Sequence, residues 1–470
     1  MNVQTPVPDI AAATDGISRR LCESLVDWSY DDLPTDVVQT IKLFVVDTFG
    51  VIGGAAKAPG MAELNRTLSR WETQGSATGL IGKRRYSPPN AALANGAAAH
   101  ALDFDDMHDP ARIHAFCVML PTMLAAAEDI GKVNGRDFIL ALAVGAEVHA
   151  RLGFTCFNSL GKGWHPTMTL GTLAAALGVG RLLGQDAKGL LNTLGLAMHQ
   201  TCGTAQPMLD GVLAKRLGAG IASRNAVTAA FLANDGITGP FLPLEGKAGL
   251  FHLLERDEVR PQELLEDIGR EWRTRGYSVK PYPCCRCNHT SIDLAIGLRA
   301  RGLKPQDVQR VDIGLPQVNF QTVGQPYDVT RDSIVHAQFN AAYSFARALS
   351  DGKVDLQTYT RPNITDPAIA ALASRVHVAS DPNEKPTDMA PSHIVVTTTD
   401  GGRIDVSARI VPGSPESPMS EAQVLDKFRG CMAFGMGLGS DAVNGFSDQI
   451  MNLEKVDEVA TLCASFPTSQ

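Results

Sequence analysis

Pro88-Pro89-Asn90-Ala91-Ala92-Leu93-Ala94-Asn95-Gly96-Ala97-Ala98-Ala99-His100-Ala101-Leu102-Asp103-Phe104-Asp105-Asp106-Met107-His108-Asp109-Pro110-Ala111-Arg112-Ile113-His114 reads as a helix running into a knot of charge. Ala91, Ala92, Leu93, Ala97, Ala98 and Leu102 recur at the 3.6-residue period of a helix. The fifteen residues from His100 to His114 then hold four aspartates, three histidines and one arginine between two apolar segments. Burying so many ionisable groups is costly unless they pair or do chemistry. Such a cluster drives pKa values apart and marks a candidate active site.

Working outward, residues 1 to about 265 read as helix after helix. Asp36 is placed to cap a helix carrying Val37, Val38, Ile41, Phe44 and Val45. Further helices are expected over Pro121–Ile130, Arg136–Leu152, Pro166–Leu183, Ala187–Cys202 and Leu213–Asn234. Gly and Ala dominate their inner positions, so the helix backbones can approach closely in a compact bundle. After about Glu271 the pattern changes. Val308–Ile313 alternates like a strand, Asp366–Ser374 reads as a short helix, and Val376–Val378 as a second strand. Ile394–Thr399 and Arg403–Ile410 flank Asp400-Gly401-Gly402, a hairpin turn. Ser420–Phe434 is helical again. The chain is therefore expected to be mainly α: a large helical domain over 1–268, completed by 412–470, with a smaller α+β domain over 269–411 inserted between.

Composition narrows the function classes. Hydrophobic residues make up 44% of the 470 and charged residues 20%, an ordinary globular balance. The net charge is −8 with no block of like charge, which argues against a nucleic-acid groove or a polybasic membrane patch. An anionic substrate would need a local cationic pocket. No apolar run was expected to reach the roughly 18 residues of a bilayer span, and Met1–Arg20 lacks the apolar core of a signal peptide. Nine cysteines, an odd number, fit free thiols in a reducing compartment, so a cytoplasmic protein is expected.

Several motifs compete for the chemistry. Gly178-Val-Gly180-Arg-Leu-Leu-Gly184 has the wrong spacing for a dinucleotide loop and lies inside a helical pattern. Cys284-Cys285-Arg286-Cys287 with His289 has no second cysteine pair to complete a zinc or iron–sulfur site, so a tight turn is expected. Asp103-Phe-Asp105-Asp106 and Asp105-Asp106-Met-His-Asp109 match short acidic motifs of cyclases and diphosphate-metal enzymes. A carbocation pocket wants aromatic faces, and only 6% of this chain is aromatic. Three other segments add cations and imidazoles. His165 precedes Pro166 at a helix entry, where free N–H groups attract carboxylates. Lys215-Arg216 begins the next helix but one. Lys280-Pro281-Tyr282-Pro283-Cys284-Cys285-Arg286-Cys287-Asn288-His289 is a proline-stiffened cationic junction. His, Lys and Arg in this number suit a substrate with two or three carboxylates.

Together the set resembles the MmgE/PrpD superfamily, which includes 2-methylcitrate dehydratase, cis-aconitate decarboxylase and iminodisuccinate epimerase. The resemblance rests on His100-Ala-Leu-Asp103-Phe-Asp105-Asp106; Gly163-Trp-His165-Pro166-Thr167 with Gly171-Thr172; Ala214-Lys215-Arg216-Leu217 with Gly220; Thr238-Gly239-Pro240; and Lys280-Pro-Tyr282-Pro-Cys284 with His289. It implies a homodimer of two-domain subunits, with the α+β domain as a lid and the site in the cleft below it. It implies no cofactor and no metal. Asp103, His114 and His165 are the expected catalytic residues; Lys215, Lys280, Tyr282, Arg286 and His289 are the expected substrate-binding residues. The implied partner is a small polycarboxylate. The expected activity is that of a hydro-lyase: a base takes the proton next to a carboxylate and water leaves. A decarboxylase or an epimerase would use the same cations, and a non-catalytic carboxylate-binding protein is the remaining alternative. Met107 stands where Thr or Ser is common in the family. His114 lies one residue further along than usual, with Ala115 in place of Pro-Ser, and Gly218 stands where a histidine often follows. These positions touch substrate in the family, so 2-methylcitrate is not assured as the substrate of this chain.

Overall fold

A computed structural model describes residues 16–72 and 74–468 of the chain. Most of Met1–Arg20 therefore lies outside the described residues. At 58% helix and 9% strand the fold is mainly α. The principal helices of the first half are Thr35–Gly54, Pro88–Ala99, Phe116–Ile130, Gly135–Thr155, Pro166–Leu182, Ala187–Gln200 and Ala214–Asn234. Glu421–Met436 and Ser440–Met451 return to the same bundle. One apolar cluster joins residues from Ile17 to Val279 with Val424 to Phe466, so the C-terminal helices share the core of the N-terminal ones. A second cluster runs from Cys284 to Val396.

Small residues set the helix spacing that the site needs. A Cβ on Gly96 would lie 2.8 Å from the Gly220 Cα, and one on Gly220 only 2.3 Å from the Leu93 carbonyl oxygen. The Pro88–Ala99 and Ala214–Asn234 helices thus touch backbone to backbone. This contact brings His100, at the end of the first, into the same region as Lys215, in the first turn of the second.

Among the described residues the strands form three small sheets. β1 (Ala77–Gly79) and β2 (Arg84–Tyr86) make a hairpin that the sequence pattern did not reveal. β3 (Met107–His108) pairs antiparallel with β4 (Tyr277–Ser278), tying the charged loop to the junction segment. β5 (Val308–Leu315), β6 (Val376–Ser380), β7 (Ser392–Thr398) and β8 (Arg403–Ala408) form one sheet in the order β6-β5-β7-β8. Only the β5–β6 pair is parallel. Ile394 and Val396 face inward on β7, and Gly401 takes the left-handed conformation of the β7–β8 turn (φ +86°).

Some expectations are corrected. Asp36 does not cap its helix: Pro34 precedes the first turn, and the Asp36 carboxylate pairs with Arg275 at 2.6 and 3.0 Å. The helix expected from Pro121 begins at Phe116 and contains that proline. Two helical stretches, Thr35–Lys57 and Gly135–Thr155, are long and apolar enough to cross a bilayer, contrary to the sequence expectation. Their apolar windows are 83% and 94% buried inside the protein, which makes them core helices. All nine cysteines are free, and Cys202 alone is exposed.

Candidate active site

The site is built where three helix ends and the junction segment meet the Leu102–His114 loop. Asp103 holds the left-handed conformation (φ +52°), uncommon for a non-glycine residue though less so for aspartate. Two buried ammonium groups meet it there. Lys215 donates to Asp103 Oδ1, while Lys280 donates to Asp103 Oδ2 at 3.3 Å and to its carbonyl at 3.0 Å. Burial opposes the charge on Asp103, but Lys215 and Lys280 hold its carboxyl far below the usual range. Burial likewise acts against the Lys280 ammonium, and Asp103 and Asp105 more than compensate, raising its pKa.

Beside this ion cluster lie three imidazoles. His100 Nδ1 donates to Asp105 Oδ2 at 2.7 Å, and the same oxygen lies 3.4 Å from His114 Nδ1. His114 Nδ1 also donates to the Asp106 carbonyl at 2.5 Å. Both rings thereby carry the proton on Nδ1 and leave Nε2 as a lone pair; for His100 that Nε2 is buried without a partner. The His100 ring centroid lies 5.1 Å from that of His114 and 5.8 Å from that of His165. His165 sits at the entry of the Pro166–Leu182 helix, where Pro166 occupies the first turn. Burial holds all three imidazoles below their ordinary values, His114 at about 3. They are neutral bases near pH 7. Burial also works against the Asp105 charge, but His100 and His114 keep its carboxyl well below the usual range.

The other charges of the loop are structural. Asp106 accepts from Ala115 N (2.7 Å) and Phe116 N (2.8 Å), satisfying the free N–H groups of the Phe116–Ile130 helix. Burial and the neighbouring Asp105 nevertheless push its carboxyl up to about 8. Asp109 takes a bidentate pair from Arg286, at 2.9 Å to each oxygen, and a further bond from Ser278. His108 donates to the Arg273 carbonyl and is held at about 4 by burial. Asp105, Asp106 and Asp109 thus face three different partners, and the diphosphate-metal face that their spacing allowed does not form. His100, Asp105 and Cys117 have donor atoms within 4.8 Å of one another, the one grouping of metal-ligand composition among the described residues. All three are fully buried. Burial and Asp105 raise the Cys117 thiol well above its ordinary value, and the grouping lies within the packed core.

Of the residues expected from sequence, Asp103, His114, His165, Lys215 and Lys280 come together. Tyr282, Arg286 and His289 make no direct hydrogen bond to that cluster among the described residues; their polar atoms bond other parts of the protein. Arg286 holds Asp109 and the Pro412 carbonyl. His289 accepts from Arg286 at 3.2 Å and donates to the Cys284 carbonyl at 3.3 Å. The Tyr282 hydroxyl donates to Asp293 at 2.9 Å. Cys285 to His289 form a buried 3-10 turn entering a helix, as a tight turn requires. Sequence reasoning gave His100 and Asp105 no part in the chemistry. Their signal was the placement of a histidine and an aspartate five residues apart around a helix end.

A mainly helical protein with buried imidazoles, ammoniums and carboxylates gathered between helix ends has the makings of a catalytic centre for an acid. The sequence places it in a defined family: residues 19–262 match the MmgE/PrpD N-terminal domain and residues 282–443 the MmgE/PrpD C-terminal domain, so the chain belongs to the MmgE/PrpD family. It is 27% identical to a cis-aconitate decarboxylase-like protein of Aspergillus oryzae, over 95% of this chain and 96% of that one. It is 25% identical to a cis-aconitate decarboxylase of Aspergillus terreus, with 96% of each chain covered. The human cis-aconitate decarboxylase is 28% identical over 91% of this chain and 89% of its own length.

Proposed function

We propose that the protein is a cofactor-independent lyase acting on a di- or tricarboxylic acid of the 2-methylcitrate, citrate or aconitate type. The observation that carries this reading is the excess of charge at Asp103: two buried ammonium groups share one carboxylate. A substrate carboxylate brought beside Asp103 satisfies the surplus, and the same ammoniums stabilise negative charge that develops when the adjacent C–H bond breaks. A neutral histidine, His114 or His165, takes that proton. The electron pair of the C–H bond becomes the double bond. The hydroxyl leaves as water with the proton of the imidazolium so formed, passed on directly or through the second imidazole. Asp105 stabilises the charged form of the histidines it touches.

Decarboxylation is the second reading, favoured by the names of the relatives. There the C–C bond to a carboxylate breaks, carbon dioxide leaves, and the electron pair left on carbon takes a proton delivered from solvent through one of these imidazoles. We read the α+β unit over 269–411 as a lid on the helical domain, supported by the Gln338 amide, which donates to the Leu102 carbonyl at 2.7 Å across the two apolar clusters. The family resemblance supports a homodimer.

The test is incubation of the purified protein with 2-methylcitrate, citrate and cis-aconitate, followed by proton NMR of the products and by carbon dioxide release. Loss of water from a hydroxy acid supports the hydro-lyase. Carbon dioxide from cis-aconitate replaces it with the decarboxylase. No reaction with any of these acids removes the lyase reading.

A further inference from the structure

The backbone from Leu102 to Asp106 is irregular and lies inside the protein, where unpaired carbonyls are costly. Side chains hold four of these five carbonyls, three of them from distant parts of the chain. Gln338 holds Leu102, Lys280 holds Asp103, Lys427 holds Phe104 at 2.8 Å, and His114 holds Asp106. Lys427 belongs to the Glu421–Met436 helix, 323 residues away from its partner, and has no part in the chemistry above. Its ammonium lies 2.7 Å from Asp47 Oδ1, on the Thr35–Gly54 helix, and 3.9 Å from the centre of the Phe104 ring.

Both members of this pair are buried, with side chains 4% and 1% exposed. Burial pushes the Asp47 carboxyl up, against the pull of Lys427. A buried ion pair contributes little or no net stability compared with apolar side chains of the same volume. Stability is therefore a poor explanation for a lysine at this position. An ammonium does one thing that an apolar side chain cannot: it holds the Phe104 carbonyl. Phe104 lies between Asp103, which meets the two catalytic-site lysines, and Asp105, which meets His100 and His114.

We propose that Lys427, neutralised by Asp47, is a positioning residue that fixes the Asp103–Asp105 backbone, so that the ammonium cluster and the imidazole cluster face the same substrate. Its kinetic readout rests on the lyase reading; its structural readout does not. Lys427→Met alone leaves Asp47 charged and buried, and it is expected to destabilise the fold. The double variant Asp47→Asn/Lys427→Met removes both charges together and is the informative one. It is expected to stay folded, melting below the wild type because the Phe104 carbonyl loses its donor but above Lys427→Met, to lose roughly 10- to 100-fold in kcat through misplacement of the loop, and to keep KM within about threefold. Lys427→Arg, with Asp47 intact, keeps a donor for the carbonyl and is expected to recover most of the lost kcat. Wild-type kcat in the double variant overturns the proposal, as does a loss confined to KM. Hydrogen exchange of the Phe104–His108 amides decides independently of turnover. Faster exchange there in the folded double variant, absent in Lys427→Arg, supports positioning even if the wild type acts on none of the acids above. Unchanged exchange overturns it.

Discussion

Two buried charge clusters in this protein do opposite things. Arg151 and Glu147, one turn apart on the Gly135–Thr155 helix, are both completely buried. Every strong donor and acceptor there is spent. Glu147 accepts from Arg151, Arg273 N, Thr274 N and the Thr274 hydroxyl, while Arg151 also donates to the carbonyls of Glu266 and Glu271. The cluster at Asp103 is different. Two ammoniums share one carboxylate, and three neutral imidazoles stand beside it, one with a ring nitrogen buried and unpartnered. The first cluster staples the segment at 263–274 to a helix. The second leaves two ammoniums on one carboxylate and a buried imidazole nitrogen without a partner. What separates a structural ion cluster from a reactive one is the hydrogen-bonding capacity left over, not the number of charges.

The largest way to break that contrast is Arg151→Met. It leaves Glu147 buried with its ion partner gone and is expected to cost about 3–5 kcal/mol of stability. Urea unfolding measures this, while turnover per folded molecule stays at the wild-type level. Loss of turnover in the folded fraction would erase the distinction between the two clusters.

Acid should act next. His108, His114 and His149 are held by burial at about 4, 3 and 3. The unfolded chain takes up their protons near pH 6.5 and the folded chain does not, so their contribution to stability is complete above pH 6.5. It falls as the pH drops toward the folded values, by about 1.4 kcal/mol per pH unit for each residue. Melting temperatures measured from pH 7 to pH 4.5 should fall steeply. A flat profile would show that these rings protonate in place.

The smallest effect is expected at Asp106. Its folded value of about 8 lies above the unfolded one, so its contribution is present at low pH and lost as the pH rises toward 8. Asp106→Asn keeps an acceptor for the helix N–H groups and is expected to change stability by about 1 kcal/mol or less near pH 7. It should also flatten the decline in melting temperature that Asp106 imposes between about pH 4 and pH 8. A large destabilisation would show that Asp106 must be charged.

Much of the fold was legible because the Ala/Gly-rich helices keep a clean period and the β7–β8 hairpin carries its own turn signal. The β1–β2 hairpin and the His289–Ala300 helix escaped, since short or weakly amphipathic elements show little contrast, whereas the Ala341–Asp351 helix escaped although its sequence is amphipathic. Asp36 has the composition of a cap, but Arg275 captures it, a tertiary contact that no local rule contains. At the site, Asp103, His114, His165, Lys215 and Lys280 stood out as ionisable groups in apolar or proline-stiffened settings. Arg286 and His289 stood out equally, and the structure spends them on Asp109 and the Cys284 carbonyl. Asp47 and Lys427 carried no signal, because each lies on an ordinary-looking helix and their meeting with Phe104 depends on the C-terminal helices rejoining the first core.

The central claim is that the surplus ammonium charge around Asp103 receives a polycarboxylate. Isothermal titration of tricarballylate, a tricarboxylate with no hydroxyl to eliminate, into the wild type and into a folded Lys280→Met variant tests it directly. The account predicts binding to the wild type and at least about 30-fold weaker binding to the variant, corresponding to about 2 kcal/mol for a lost partner of a buried charge pair. Equal affinity in the two proteins would contradict it.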